Sequence, residues 1–149
     1  MNHFSTLDSV VKMWQHQGVW LLPPADESTV VTELRRTGRM ISRDVIDLYC
    51  MTGGMADGDS YELWSLWPLK QIVAENSKYK RPYILFADFL INSHLYCLKY
   101  ESEKTSAVLV DFFDGEEPKR VADSLVEFFE LYLTDPNRLE IWDLSPKCI

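Results

Sequence analysis

The residue types that could carry chemistry are three histidines (His3, His16, His94), three cysteines (Cys50, Cys97, Cys148) and several acidic runs. Nucleophilic catalysis needs a base within hydrogen-bond reach of the nucleophile, and the chain has no elbow of the G-x-S-x-G kind. Cys50 and Cys97 fall inside apolar helix and strand patterns, which predicts buried structural thiols. Cys148, beside the C-terminal Ile149, reads as a frayed end. No two histidines or cysteines have zinc spacing. Asp57-Gly58-Asp59 opens like a calcium loop, but the twelfth position of that register is Pro68, where a carboxylate is required. Gly53 and Gly58 followed by Asp59-Ser60 approximate a phosphate loop with Asp in place of the essential Lys, and a carboxylate there repels phosphate. Asp111, Asp114 and Glu117-Pro118-Lys119 superficially resemble the acidic-plus-lysine set of metal-dependent nucleases. Pro118 breaks that pattern, because it removes a ladder donor where Glu and Lys should share one strand. No metal or cofactor site is expected.

The acidic runs also suit recognition. Asp57, Asp59 and Glu62 lead into Tyr61, Trp64 and Trp67, and period-2 alternation places Trp64 and Trp67 on opposite faces, one toward the core and one more exposed. An aromatic anchor ringed by charge is the composition of a protein-binding hot spot. The alternative is that both tryptophans pack on neighbouring helices. Arg35, Arg36, Arg39 and Arg43 form a local basic cluster that reads as a solvated helical surface balanced by Glu33, Asp44 and Asp47.

The elements that must position these residues are legible from periodicity. The 149 residues are 46% hydrophobic and 26% charged, which fits one globular domain with its own core. A first helix is predicted over 6–17, with Leu7, Val10, Val11 and Trp14 on one face and Gly18 at its stop. A second fits 26–37, ended by Gly38, and a third starts at Ser42 with Val45, Leu48 and Tyr49 inward. After Gly53-Gly54 the period changes toward 2. Strands are predicted over 61–67, 83–88, 95–100 and 107–113, with a short helical connection after Pro68 and a polar five-residue hairpin link at 101–105. A final helix carries Val121, Leu125, Phe128 and Tyr132 inward and Asp123, Glu127 and Glu130 outward, ending at Asp135-Pro136. Ile141-Trp142 in the tail could form an edge strand or cover the sheet.

Charge narrows the partners. Fifteen basic against 23 acidic residues leave a net −8, of which residues 51–149 carry −7 (ten bases, 17 acids). That sign disfavours direct binding to nucleic acid or to anionic membranes and favours basic partners. The N-terminus has neither a basic n-region nor an apolar h-region, and no apolar stretch approaches the roughly 20 residues of a membrane helix. Three widely spaced cysteines suit reduced thiols. A cytoplasmic protein is expected.

The order of signals resembles the SUKH superfamily, which contains yeast cell-wall-synthesis regulators and many bacterial immunity proteins. The match is carried by Val30–Gly38 leading into Ile41–Tyr49 and Gly53-Gly54; by Glu62-Leu63-Trp64-Ser65-Leu66-Trp67-Pro68-Leu69; by Ile84–Asp88 with Tyr96–Tyr100; and by Ser124-Leu125-Val126-Glu127-Phe128-Phe129. It covers about residues 26–133, with the first helix and the tail as additions. The family's usual Asn-Gly after the third helix is Gly53-Gly54 here. The resemblance implies an α+β fold with helices around one mainly antiparallel sheet, and a non-enzymatic surface that binds protein. The expectation is an immunity protein that occludes a basic toxin domain, in some relatives a nuclease. An intracellular scaffold binding host proteins is the second expectation, and a metal-dependent nuclease a distant third. Partner-binding candidates are Asp57, Asp59, Glu62 and Trp64, with Asp111, Asp114, Glu116 and Glu117 as a second acidic patch.

Overall fold

The computed structural model describes residues 3–142, and the side chains of residues 5–142 other than Asp57. Cys148 and the tail beyond Trp142 lie outside the described residues. Five α-helices and one antiparallel sheet give the expected α+β class.

The helices form where apolar spacing and caps agree. In α1 (His3–His16), Leu7, Val10, Val11 and Trp14 are buried, and Gly18 follows at φ 79°. In α2 (Glu27–Arg35) the Asp26 carboxylate accepts the Thr29 N–H at 2.8 Å, satisfying a donor that the first turn leaves free. The helix α3 (Arg43–Met51) buries Val45, Leu48 and Tyr49. Ser42 takes the N-cap position expected from the sequence, but its hydroxyl makes no cap bond; it contacts Asp44 at 2.5 Å and Ser106 at 2.6 Å.

Gly53-Gly54 lets two chain segments close on the end of α3. A Cβ on Gly53 would stand 2.4 Å from the Pro23 carbonyl oxygen, and one on Gly54, at φ 99°, would stand 2.7 Å from Pro68. Backbone bonds Leu22 N–H to Gly54 O (2.8 Å) and Gly53 N–H to Leu22 O (2.9 Å) fix this approach.

The sheet runs in sequence order, β1 (Trp64–Leu66), β2 (Ile84–Phe89), β3 (His94–Tyr100), β4 (Ser106–Asp111) and β5 (Lys119–Ala122), all antiparallel. The helix α4 (Leu69–Asn76) joins β1 to β2, and Asn76 bonds both the N–H and the carbonyl of Leu85. The 101–105 link makes the β3–β4 hairpin, as the sequence predicts. Several boundaries differ from prediction: α2 ends at Arg35 rather than 37, β4 ends at Asp111 rather than 113, and residues 119–122 form a strand that periodicity did not predict. The first strand is three residues long because Glu62 and Leu63 take positive φ and fold Tyr61 back onto Trp64. Val121 belongs to β5, and α5 (Leu125–Thr134) starts only after Ser124, whose hydroxyl accepts the Glu127 N–H at 3.1 Å.

Register divides the sheet into two faces. Trp64, Phe89 and His94 lie across one row, and Ser65, Asp88, Leu95 and Asp111 share the opposite face. The first face packs on α1 and α5 through an aromatic core. Trp14 stacks on Trp64 with centroids 6.0 Å apart, Tyr132 meets Trp64 at 5.0 Å, and the Trp14 indole N–H donates to the Tyr132 hydroxyl at 3.0 Å. Such ring pairs add about 0.5–1.5 kcal/mol beyond area burial.

Candidate functional site

Trp64 and Trp67 are both buried, at 0% and 2% exposure, which corrects the expectation that one of the two would be more exposed. Trp64 is therefore not a surface anchor. It sits at the centre of the core because its register position opposite Phe89 points it at α1 and α5. Trp67 donates its indole N–H to Asp88 at 2.6 Å.

Asp111 is the second correction. It is 2% exposed, accepting the Tyr79 hydroxyl at 2.8 Å and the Phe113 N–H at 2.9 Å, so it is no part of an accessible acidic patch. Its two oxygens are already committed to structure, as are those of Asp59, which accept the Trp20 N–H (2.7 Å) and the Ser60 N–H (2.9 Å). Asp57 lies in the 3-10 turn Ala56–Gly58, and its side chain is outside the described set.

The remaining carboxylates converge. Trp64 pairs with Phe89, Phe89 with His94, and Leu95 with Asp111, so the residues before β1, the β2–β3 turn and the segment after β4 all emerge at one end of the sheet. Glu62, Asp114, Glu116 and Glu117 are exposed there. Glu117 pairs with Arg81 at 3.0 Å; among the described residues no cation forms a salt bridge with Glu62, Asp114 or Glu116. The same end exposes Leu63, Leu90, Ile91, Phe112, Phe113 and Trp142. Sequence reading missed this set, although Phe89-Leu90-Ile91 and Phe112-Phe113 are consecutive apolar residues beside turns, where period 2 cannot bury them all.

His94 lies beneath that end. Its ring is 1% exposed and surrounded by Phe89 (5.3 Å), Phe112 (5.1 Å), Trp142 (5.2 Å) and Tyr96 (5.6 Å). Nε2 lies 2.8 Å from the Glu140 carbonyl, which assigns it as the protonated nitrogen, and burial holds the imidazole below its usual range. The Tyr96 hydroxyl donates to the Leu139 carbonyl at 2.6 Å. Residues 139–142 thus cover the sheet and add no strand.

Other clusters are structural. Arg39 spends its guanidinium on the carbonyls of Thr37, Asn76, Tyr79 and Arg81, clamping the 37–39 loop to the segment before β2. The open cavity beside it, about 490 Å³, has Met40, Tyr83 and Tyr100 among its walls. Arg36 pairs with Glu33, and Arg43 with Glu27 and Asp47, but Asp44 is buried and pairs with no arginine, unlike the expected surface balance. Cys97 is buried, and desolvation pushes its thiol up to about 12, which keeps it protonated and unreactive at neutral pH. Among the described residues no group of three or more His, Cys, Asp or Glu could hold a metal ion, and no helix is long and apolar enough to cross a membrane.

The fold is therefore an α+β sandwich of helices on one antiparallel sheet, with a charged and apolar sheet end as its candidate site. No protein-family model and no curated protein sequence matches the chain.

Proposed function

We propose that the chain is a non-enzymatic protein-binding module of the SUKH kind, an immunity protein that occludes the basic domain of a bacterial toxin. The observation that carries this reading is the gathering of Glu62, Asp114, Glu116 and Glu117 at a single end of the sheet, three of them in no salt bridge among the described residues. Helices followed by an antiparallel sheet and a closing helix agree with what the resemblance implies. The net charge of −7 on residues 51–149 has the sign that speeds capture of a cationic partner and disfavours others. Binding there needs no reacting group, only complementary charge around contacts that exclude water.

The test is retention of partners by the tagged protein from its native lysate at low and at moderately high salt, with bound chains identified by mass spectrometry and any toxin assayed with and without the protein. The expected result is a chain with a basic toxin domain, released as salt rises and inactive when bound. Recovery of regulatory proteins alone, with no effect on a toxin, would overturn the reading in favour of the scaffold.

A further inference from the structure

Nine large apolar side chains are exposed among the described residues, and six of them, Leu63, Leu90, Ile91, Phe112, Phe113 and Trp142, lie at the β2–β3 turn end of the sheet. Ile91 is 89% exposed and Phe113 57%. Clustering of this kind is unlike the single scattered apolar residues of ordinary surfaces.

The backbone at this end is unusual too. All seven described non-glycine residues with positive φ are here: Glu62, Leu63, Leu90, Ile91, Asn92, Phe113 and Glu140. Elsewhere the chain supplies glycine for that conformation, at Gly18, Gly38, Gly54 and Gly58. A β-branched residue such as Ile91 at φ 51° is a true outlier. Glycine or asparagine at these positions would relieve the strain, and a polar side chain would suit an exposed turn. The chain instead keeps bulky apolar groups that cost stability twice, through strain and through hydration. Such a cost is a common mark of a binding surface. Leu90 N–H to Leu63 O at 2.9 Å ties two of the turns together, and Phe113 N–H to the Asp111 carboxylate at 2.9 Å fixes the third locally, so the surface is preformed.

We propose that this apolar crest is the docking surface for a cationic amphipathic segment of the partner, whose apolar face covers Leu63, Ile91 and Phe113 while its lysines or arginines meet Glu62, Asp114 and Glu116. The proposal rests on the toxin-binding reading for the sign of the partner's charge. Complementarity selects this occupant over a second copy of the chain, because self-contact would press the same carboxylates against one another.

The probe is a synthetic leucine–lysine peptide with amphipathic helical spacing, titrated into the full chain and followed by amide chemical shifts and calorimetry, beside a peptide with glutamate in place of lysine. The decisive variant is Leu63→Asn with Ile91→Asn, since asparagine tolerates the left-handed backbone. Stability should hold or rise while affinity for the lysine peptide falls about tenfold or more. Shifts should map to residues 62–63, 90–93 and 112–117, and the glutamate peptide should not bind. Unchanged affinity in the variant, shifts elsewhere, no binding, or equal binding of both peptides would overturn the proposal. So would a mass doubling of the parent that the variant abolishes, which would assign the crest to a second copy. If the variant still neutralises the toxin, the crest fails and the immunity reading stands; if the peptide docks on the crest but no toxin is neutralised, the reverse holds.

Discussion

The carboxylate of Asp44 accepts the backbone N–H of Leu125 at 3.4 Å, joining the start of α3 to the start of α5 across 81 residues of sequence. The same side chain accepts from Ser106 N–H at 3.3 Å, Val45 N–H at 2.9 Å and the Ser42 hydroxyl at 2.5 Å, so one buried acid ties two helices to β4.

Replacing Asp44 with Asn removes an acceptor facing two backbone donors, and Asp44→Asn should cost about 1–3 kcal/mol at neutral pH, read by urea unfolding. Burial raises the Asp44 carboxyl above its ordinary 3.8 despite the four donors. The fold therefore favours the protonated acid, and the contribution grows as pH falls through the raised value toward 3.8 and is lost as pH rises. The gap between parent and variant should widen on acidification; a gap that narrows would contradict the assignment.

His94 has the opposite sign. Desolvation lowers its pKa below 6.5, so its contribution is present above 6.5 and lost as pH falls through the folded-state value. Thermal melts followed by tryptophan fluorescence should show the parent losing stability between pH 8 and 5. His94→Gln, which keeps a donor for the Glu140 carbonyl, should flatten that slope. An identical slope would assign the titration to another group.

Two core tryptophans offer a controlled comparison. Trp64 Nε1 is the one buried side-chain polar atom without a hydrogen-bond partner among the described residues, whereas Trp14 Nε1 donates to Tyr132. Trp64→Phe thus loses packing alone, and Trp14→Phe loses packing and a hydrogen bond, so the second should be more destabilising by about 1 kcal/mol. Equal unfolding midpoints and slopes would mean that the Trp14 bond contributes nothing.

Glycine substitutions separate strain from crowding. Gly38→Ala meets open space at φ 76° and should cost about 1–2 kcal/mol, the left-handed penalty alone. Gly54→Ala adds a collision with Pro68 and should be markedly worse, read as a lower melting temperature or loss of soluble protein.

Much of this architecture is written locally. The stripe Leu7, Val10, Val11 and Trp14, the Asp26 cap and the polar link 101–105 each determine an element from a few neighbouring residues, because helical period, caps and hairpin links are short-range properties. Local pattern failed where two periods were both available. Val121 is spaced correctly for the face of α5 yet lies within β5, at the register shift between Arg120 opposite Leu109 and Ala122 opposite Val108, so the pairing of its two neighbours with β4 holds it in the strand.

The sequence by itself determined the five helices, four of the five strands in their order, and the acidity of the second half, and its family resemblance implied the α+β class. Only the tertiary structure decided which acids are usable. Asp111 is removed from the surface by Tyr79, 32 residues earlier in the chain, and Trp64 is turned inward by its pairing with Phe89. Glu62 and Asp114–Glu117 reach one sheet end through four strands in fixed register. The reason is physical: alternation encodes which face a side chain takes, but what covers that face, and which turns share an end, depends on contacts between residues far apart in sequence.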